Sequence, residues 1–279
     1  MDKNLNAQYD MTKVPEITFY FWIVKILTTA MGESTSDYLV FHINPFVAVV
    51  VGGIGFVVAL ALQFRARRYI AWVYWFTVLM VAVFGTMAAD VLHVVLGVPY
   101  LISTASFALA LAIIFVVWYA SEKTLSIHSI YTVRREIFYW ATVSATFALG
   151  TATGDLTATT LRIGYFLSGI MFTVLIVAVG ASHYITRLRP GTARKHQSRD
   201  EVLTFWLAYI LTRPLGASFA DWMGKPLSWG GLAWGDGTVS FLLFVPIFCF
   251  VWYLARSRRD VQPPTTITEN ESELAYPAK

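Results

Sequence analysis

Residues Trp22 to Asp37 read Trp-Ile-Val-Lys-Ile-Leu-Thr-Thr-Ala-Met-Gly-Glu-Ser-Thr-Ser-Asp. The skeleton is a Trp, nine residues, a Gly, four residues and an Asp. It returns at Trp75, Gly85, Asp90, at Trp140, Gly150, Asp155, and at Trp206, Gly216, Asp221. A fixed pattern at repeat intervals marks duplicated structural units. Each copy lies in a long apolar segment, where an Asp is costly and needs a reason.

The composition names the solvent. The chain has 279 residues, 57% hydrophobic and 14% charged, with a mean hydropathy of +0.59. Soluble domains average about 45–50% apolar and about 25% charged, so most of this chain belongs in lipid. One cysteine, Cys249, excludes an internal disulfide and a Cys-based metal cluster. The net charge of +4 sits at segment ends, which fits a membrane surface better than nucleic acid. No cleaved signal peptide is expected.

Eight segments are long enough to span: 17–39, 46–64, 71–94, 103–120, 136–157, 163–185, 202–222 and 238–255. Helices are the default, because lipid offers backbone groups no partners. The expected fold is all-α and polytopic: eight transmembrane helices forming four parallel two-helix repeats, with a pseudo-symmetry axis along the membrane normal. The repeats cover about 16–68, 71–123, 135–189 and 201–259 of a membrane domain at 17–259. Residues 1–16 form a cytoplasmic N-terminal segment, and 260–279 a disordered cytoplasmic tail. Arg65, Arg67, Arg68, Lys123, Arg134, Arg135, Arg187, Arg189, Arg194, Lys195, Arg199, Arg256, Arg258 and Arg259 follow even spans. The opposite loops carry only Arg162 and Lys225. The positive-inside rule then puts both termini in the cytoplasm.

The skeleton falls on the odd spans. Four residues after each Gly comes a small residue: Ser36, Ala89, Gly154 and Ala220. With Gly32, Gly85, Gly150 and Gly216 these form small-xxx-small stripes, which let helices pack closely. The odd spans could pack on one another or on their even partners. At about 100° per residue the Asp sits beside the stripe. If the stripes face inward, Asp37, Asp90, Asp155 and Asp221 form an acidic ring near the outer mouth, as in cation pathways. The bland alternative is four hydrated helix-end acids.

Lys25, Thr29, Glu33 and Asp37 fall on one helical stripe, and Arg213 shares a stripe with Asp221. Lys25 and Arg213 either neutralise carboxylates across an interface or hold an empty site closed. His93, three after Asp90, could join it and Met87 in a metal site, although a polar mouth residue is the plainer reading. Oxygen-rich surroundings suit hard ions such as Mg²⁺, Mn²⁺, Na⁺ or H⁺. Each skeleton Trp reads as an interfacial anchor. Asn44-Pro45, Gly52-Gly53 and Pro246 are candidate helix interruptions. No nucleotide loop, nucleophile elbow or His-Glu-x-x-His is present, and no enzyme activity or cofactor is expected.

Glu-Ile-Thr-Phe-Tyr-Phe-Trp, Gly-Glu-Ser-Thr-Ser-Asp, Gly-Thr-Ala-Thr-Gly-Asp and Leu-Gly-Ala-Ser-Phe-Ala-Asp resemble the bacterial "uncharacterized membrane-anchored protein" family. That family is built from tandem membrane repeats of unknown function. The resemblance runs from Glu16 to about Arg258. Copy two departs from it, lacking the acid before the Trp that Glu16, Glu136 and Glu201 supply in the others. The resemblance implies membrane location and repeat architecture.

The residues themselves point to a secondary transporter, in the export direction, for a small hard cation, with Mn²⁺ or Mg²⁺ favoured. Asp37, Asp90, Asp155, Asp221 and Glu33 are its expected ion ligands, His93 a minor one, and Lys25 and Arg213 the neutralising charges. The partners would be the cation, H⁺ and the bilayer of the bacterial inner membrane, without nucleic acid. Association with further copies of the chain is left open. The alternatives are a proton-coupled carrier of a small organic solute and a non-transporting scaffold or sensor subunit.

Overall fold

The computed structural model describes residues 9–10, 12–188, 194–262 and 265–266. Eight helices carry the chain: α1 (Phe19–His42), α2 (Pro45–Arg65), α3 (Ala71–Asp90), α4 (Tyr100–Glu122), α5 (Val133–Asp155), α6 (Tyr165–Leu188), α7 (Arg194–Gly224) and α8 (Asp236–Ser257). Their starts are written locally. The Thr18 and Thr132 side chains accept from Phe21 N and Arg135 N. Asn44 caps α2 by accepting from Phe46 N, with Pro45 at the first helical position. Asn44-Pro45 is therefore a helix start. Gly52-Gly53 and Pro246 lie inside continuous helices, so none of the three interrupts a span. Gly52 and Gly53 instead form a notch filled by Met87 and Phe84.

Six helical segments are long and apolar enough to cross a membrane: Pro45–Arg65, Ala71–His93, Tyr100–Glu122, Tyr165–Thr186, Asp200–Gly224 and Asp236–Ser257. The protein is thus a multi-pass membrane protein by the character of its helices. The other two, α1 and α5, are as long but more polar. α1 holds Lys25, Glu33 and Asp37, and α5 holds Arg134, Arg135, Glu136 and Asp155. Their polarity follows from their position. α1 packs on α3 and α7, and α5 packs on the same two, so the odd helices close a ring. The even helices surround it and expose Val50, Ile54, Leu109, Val116, Val174, Phe241 and many like them. Each packs chiefly on the odd helix of the following repeat: α2 on α3, α4 on α5, α6 on α7, and α8 back on α1.

The skeleton glycines make the ring. A Cβ built on Gly32 would lie 2.2 Å from Ala82 Cβ, and one on Gly85 would lie 3.0 Å from Phe147 Cβ. On Gly150 it would meet Arg213 Cγ at 2.3 Å, and on Gly216 it would meet Thr29 Oγ1 at 2.1 Å. The residue touched is in every case the one three before the next copy's glycine. The same contact recurs around all four interfaces.

The flanks are folded onto this bundle. Thr12, Lys13 and Val14 are buried, as are Asp260 and Gln262. Lys13 Nζ pairs with Glu136 at 2.7 Å, and Gln63 bonds the same carboxylate at 3.1 Å. Glu16 N donates to Asp260 O at 2.8 Å, and Tyr69 donates to the Asp260 carboxylate at 2.5 Å. Burial and the Asp260 charge push the Tyr69 phenol up. Backbone pairing joins Tyr9–Asp10 to Thr265–Thr266. The polar N-terminal segment packs on the bundle through Thr12, Lys13 and Val14, and Asp260 and Gln262 are buried where a disordered tail was expected from 260. Residues 1–8, 11, 263–264 and 267–279 lie outside the described residues. So do Arg189 and the side chains of Arg187, Arg194, Lys195 and Arg199, on which part of the orientation rests.

Candidate functional site: a stack of polar layers on the ring axis

The skeleton aligns the four odd helices, so equivalent positions form layers. Phe21, Tyr74 and Tyr139 are almost fully buried, together with Trp75, Trp140 and Trp206. Tyr74 and Tyr139 share a hydroxyl contact of 2.5 Å. Phe21 packs on Trp75, Phe205 and Tyr209, and Tyr139 on Trp206. This aromatic layer closes one end of the axis. Trp75, Trp140 and Trp206 are core residues here, not interfacial anchors, because ring closure turns the aromatic doublets inward.

Seven residues before each glycine stand Lys25, Val78, Val143 and Tyr209, all buried. The Lys25 ammonium lies 4.2 Å from the Phe147 ring centre and 4.3 Å from that of Tyr209, with no hydrogen-bond partner. It neutralises no carboxylate. Two aromatic faces stabilise it instead, each contributing about 2 kcal/mol or more when desolvated. The expectation that Lys25 balances the acids fails, because Lys25 lies about two helical turns below Glu33 on the shared stripe and faces Phe147 and Tyr209 there.

One residue after each glycine stand Glu33, Thr86, Thr151 and Ala217. Arg213 fills the centre of this layer and is fully buried. Its guanidinium bonds Glu33 at 2.5 Å, Thr151 at 2.8 Å, the Thr29 carbonyl at 3.1 Å, and the Thr86 hydroxyl. Thr86 also donates to Glu33 at 3.1 Å. Four odd helices thus contribute to one network. A buried pair of this kind is weak evidence for stability, but breaking it is costly.

Above it lie the skeleton acids. One oxygen each of Glu33, Asp37 and Asp221 falls within a mutual 4.8 Å, and this is the one such group among the described residues. Asp37 and Asp221 are buried, whereas Asp90 and Asp155 are half-buried. Asp90 and Asp155 stay within electrostatic reach of the cluster: Asp90 interacts with Asp37, Glu33 and Asp155, and Asp155 with Glu33 and Asp37. The α-helices of the middle copies give way to π-helical turns, Val91–Val95 and Leu156–Thr160, immediately after these two acids. Such turns recur at functional sites.

His93 is not a ligand. Its Nδ1 contacts the Val98 carbonyl at 2.9 Å and its Nε2 the Ser103 hydroxyl at 3.3 Å. Met87 faces Gly52 on α2. The π-helical turn carries His93 toward α4, so the spacing that suggested a shared face with Asp90 does not hold.

Sequence reasoning missed the main cation of this layer. Lys225, directly after α7, places its ammonium against Asp37, at 3.7 Å from Asp221 and 3.9 Å from Asp236. Burial alone would lower its pKa. The charges of Asp221, Asp37 and Asp236, with the hydrogen bond to Asp37, outweigh that and hold it above the usual lysine value. The signal was the spacing of four from Asp221 to Lys225. Tyr100 and Tyr165 were missed too. Each lies ten residues after a skeleton Asp, and each is within electrostatic reach of Asp155 and Asp221. Beside Asp236, an open cleft of about 850 Å³ lies between α1 and α8, lined by Thr35, Tyr38, His42 and Ser240.

The arrangement is a cluster in which six carboxylates (Glu33, Asp37, Asp90, Asp155, Asp221, Asp236) surround two paired cations. It is partly exposed at the acid end and closed at the other by Arg213, Lys25 and the aromatics.

A family model described as a Repeat of Unknown Function (DUF347) matches residues 20–69, 73–124, 138–189 and 204–260. No curated protein and no solved structure matches the chain. The four matched segments coincide with the four skeleton copies that build the ring, and the chain belongs to the DUF347 repeat family.

Proposed function

We propose that the protein is a secondary transporter, working as an exporter, for a small hard cation, with Mn²⁺ or Mg²⁺ favoured and H⁺ as coupling ion. The observation that carries this reading is the meeting of Glu33, Asp37 and Asp221 within 4.8 Å, with an ammonium already seated among the acids. Oxygen ligands of this kind suit hard divalent ions. Lys225 then acts as a tethered stand-in for the cargo, and Arg213 holds Glu33 until the site reorganises. The partly exposed acid end is the outward mouth. No chemical transformation is involved.

In this reading α1 and α5 also cross the bilayer, giving eight crossings, because they line the axis and the even helices shield them from lipid. The four repeats run parallel about an axis along the membrane normal. Support comes from the identical glycine contact at all four interfaces, as rotation about such an axis requires. The arginines and lysines after even helices put both termini in the cytoplasm of a bacterial inner membrane.

The test is uptake and release of a metal panel by purified protein in vesicles. Wild type moves Mn²⁺ or Mg²⁺ against a proton gradient, and Glu33→Gln and Asp37→Asn each slow it at least about tenfold, with folding intact. Equal transport by both variants defeats the reading. A second reading is favoured by one observation: the group now held by Asp37, Asp221 and Asp236 is a primary ammonium. It makes the cargo a small organic cation. Melting temperatures separate the two, since only the true cargo stabilises the fold by mass action.

A further inference from the structure

Away from the acid cluster, where α3 begins and α8 ends, lies a pocket of about 640 Å³. Arg68, Arg256 and Arg258 line it. All three are exposed, and no carboxylate among the described residues stands within ion-pair distance of them. Arg256 lies over the Trp252 ring at 5.6 Å. Helix α3 begins at Ala71, and its N-cap residue Ile70 makes no side-chain cap hydrogen bond. One oxygen of Asp260, a residue 1% exposed that also lines the pocket, has no partner.

The pocket continues into an apolar track. Phe244, Phe248 and Trp252 follow one another at intervals of four on α8 and are 45%, 39% and 49% exposed. Trp72 of α3 packs on Phe248 at 5.2 Å. Guanidiniums at the end of an apolar groove between two membrane helices match a molecule with a phosphate at one end and a hydrocarbon chain at the other.

We propose that this pocket binds an anionic phospholipid, its phosphate held by Arg68, Arg256 and Arg258 and its acyl chain lying along Trp72, Phe248 and Phe244. A soluble anion uses the arginines but leaves the track empty. A zwitterionic lipid uses the track but brings an ammonium toward three guanidiniums. The site shares no residue with the acid cluster and stands whether or not that cluster transports a cation.

The experiment is native mass spectrometry and thermal unfolding of the full chain in neutral detergent. The probes are phosphatidylglycerol, phosphatidylcholine of the same chains, and inorganic phosphate. Phosphatidylglycerol is retained and raises the melting temperature, and the other two do neither. The triple variant R68Q/R256Q/R258Q binds phosphatidylglycerol about a hundredfold more weakly, and Arg256→Gln alone about fivefold more weakly. Equal retention of phosphatidylcholine overturns the proposal. So does stabilisation by inorganic phosphate equal to that by the lipid. Should the triple variant melt early without lipid, the single variant decides: undiminished retention by Arg256→Gln overturns the proposal.

Discussion

Replacing Gly32 with Ala tests whether the ring is as tightly made as it looks. The new Cβ falls 2.2 Å from Ala82 Cβ, and the Ala82 carbonyl carbon and Cα lie at 3.0 and 3.1 Å. Carbon atoms settle at about 3.5–4.0 Å, so α1 and α3 must separate by more than about 1 Å. Two of the three obstructing atoms are backbone, and no side-chain rotation relieves them. Overpacking of this kind costs about 1–3 kcal/mol. The separation also stretches the 3.1 Å hydrogen bond from Thr86 to Glu33, and a hydrogen bond to a charged group contributes about 1.5–3 kcal/mol. The two together come to about 2.5–6 kcal/mol. At about 2–4 °C per kcal/mol for a chain of this size, the melting temperature falls by roughly 10 °C. Gly180 supplies the control. It lies within α6 with nothing within 4 Å of an added Cβ, so Gly180→Ala is neutral or stabilises by about 0.5–1 kcal/mol. Gly85→Ala, with its nearest contact at 3.0 Å, falls between. The assay is thermal unfolding in mild detergent, followed by the fluorescence of buried Trp75 and Trp140. Gly32→Ala melting within about 1 °C of Gly180→Ala would refute the reasoning.

Arg213→Leu leaves Glu33 buried without its cation and destabilises by about 3–5 kcal/mol, whereas Arg213→Leu with Glu33→Leu recovers most of the loss. Equal melting of the single and double variants contradicts this. Lys225→Gln removes the tethered ammonium and tightens cation binding to Asp37 and Asp221 at least about tenfold by titration calorimetry. Weaker binding shows that Lys225 supports the site instead of competing for it. Asp260→Asn keeps an acceptor for Tyr69 and removes a buried charge. The folded pKa of Asp260 is raised above its ordinary 3.8. Its carboxyl therefore favours the fold at low pH and opposes it progressively as pH rises from that value through the folded pKa. The variant melts higher than wild type at pH 7, and the gap closes toward pH 4. A gap that does not change with pH counts against that account.

The repeat was legible because its skeleton mixes three residue types with separate physical jobs. Gly32 and its equivalents permit close approach, three of the four Trp residues fill the core, and the Asp residues mark the polar end of the ring. Spacing alone placed Glu33 and Arg213 among the interior charges. The partners were not legible. Whether Lys25 meets a carboxylate or a ring depends on Phe147, which is distant in sequence and has no periodic equivalent at Thr29, Ala82 or Arg213. The minor reading of His93 as a ligand beside Asp90 assumed a regular helix, and the π-helical turn at Val91–Val95 breaks that period. The Trp residues were misread because aromatics near a span's end suit the interface and the core equally well. Lys225 was counted as a loop charge, although Asp221 four residues earlier already marked it as a partner.

The docking of α8 on α1 has a consequence for synthesis. α1, which carries Lys25, Glu33 and Asp37, leaves the ribosome before α7, which brings Arg213, and before α8, which packs beside it. Until about three-quarters of the chain exists, α1 has neither its counter-ion nor its outer neighbour. A chain cut short before the fourth repeat therefore leaves Glu33 and Asp37 without the cations that face them, and the fourth repeat works as the latch that closes the ring.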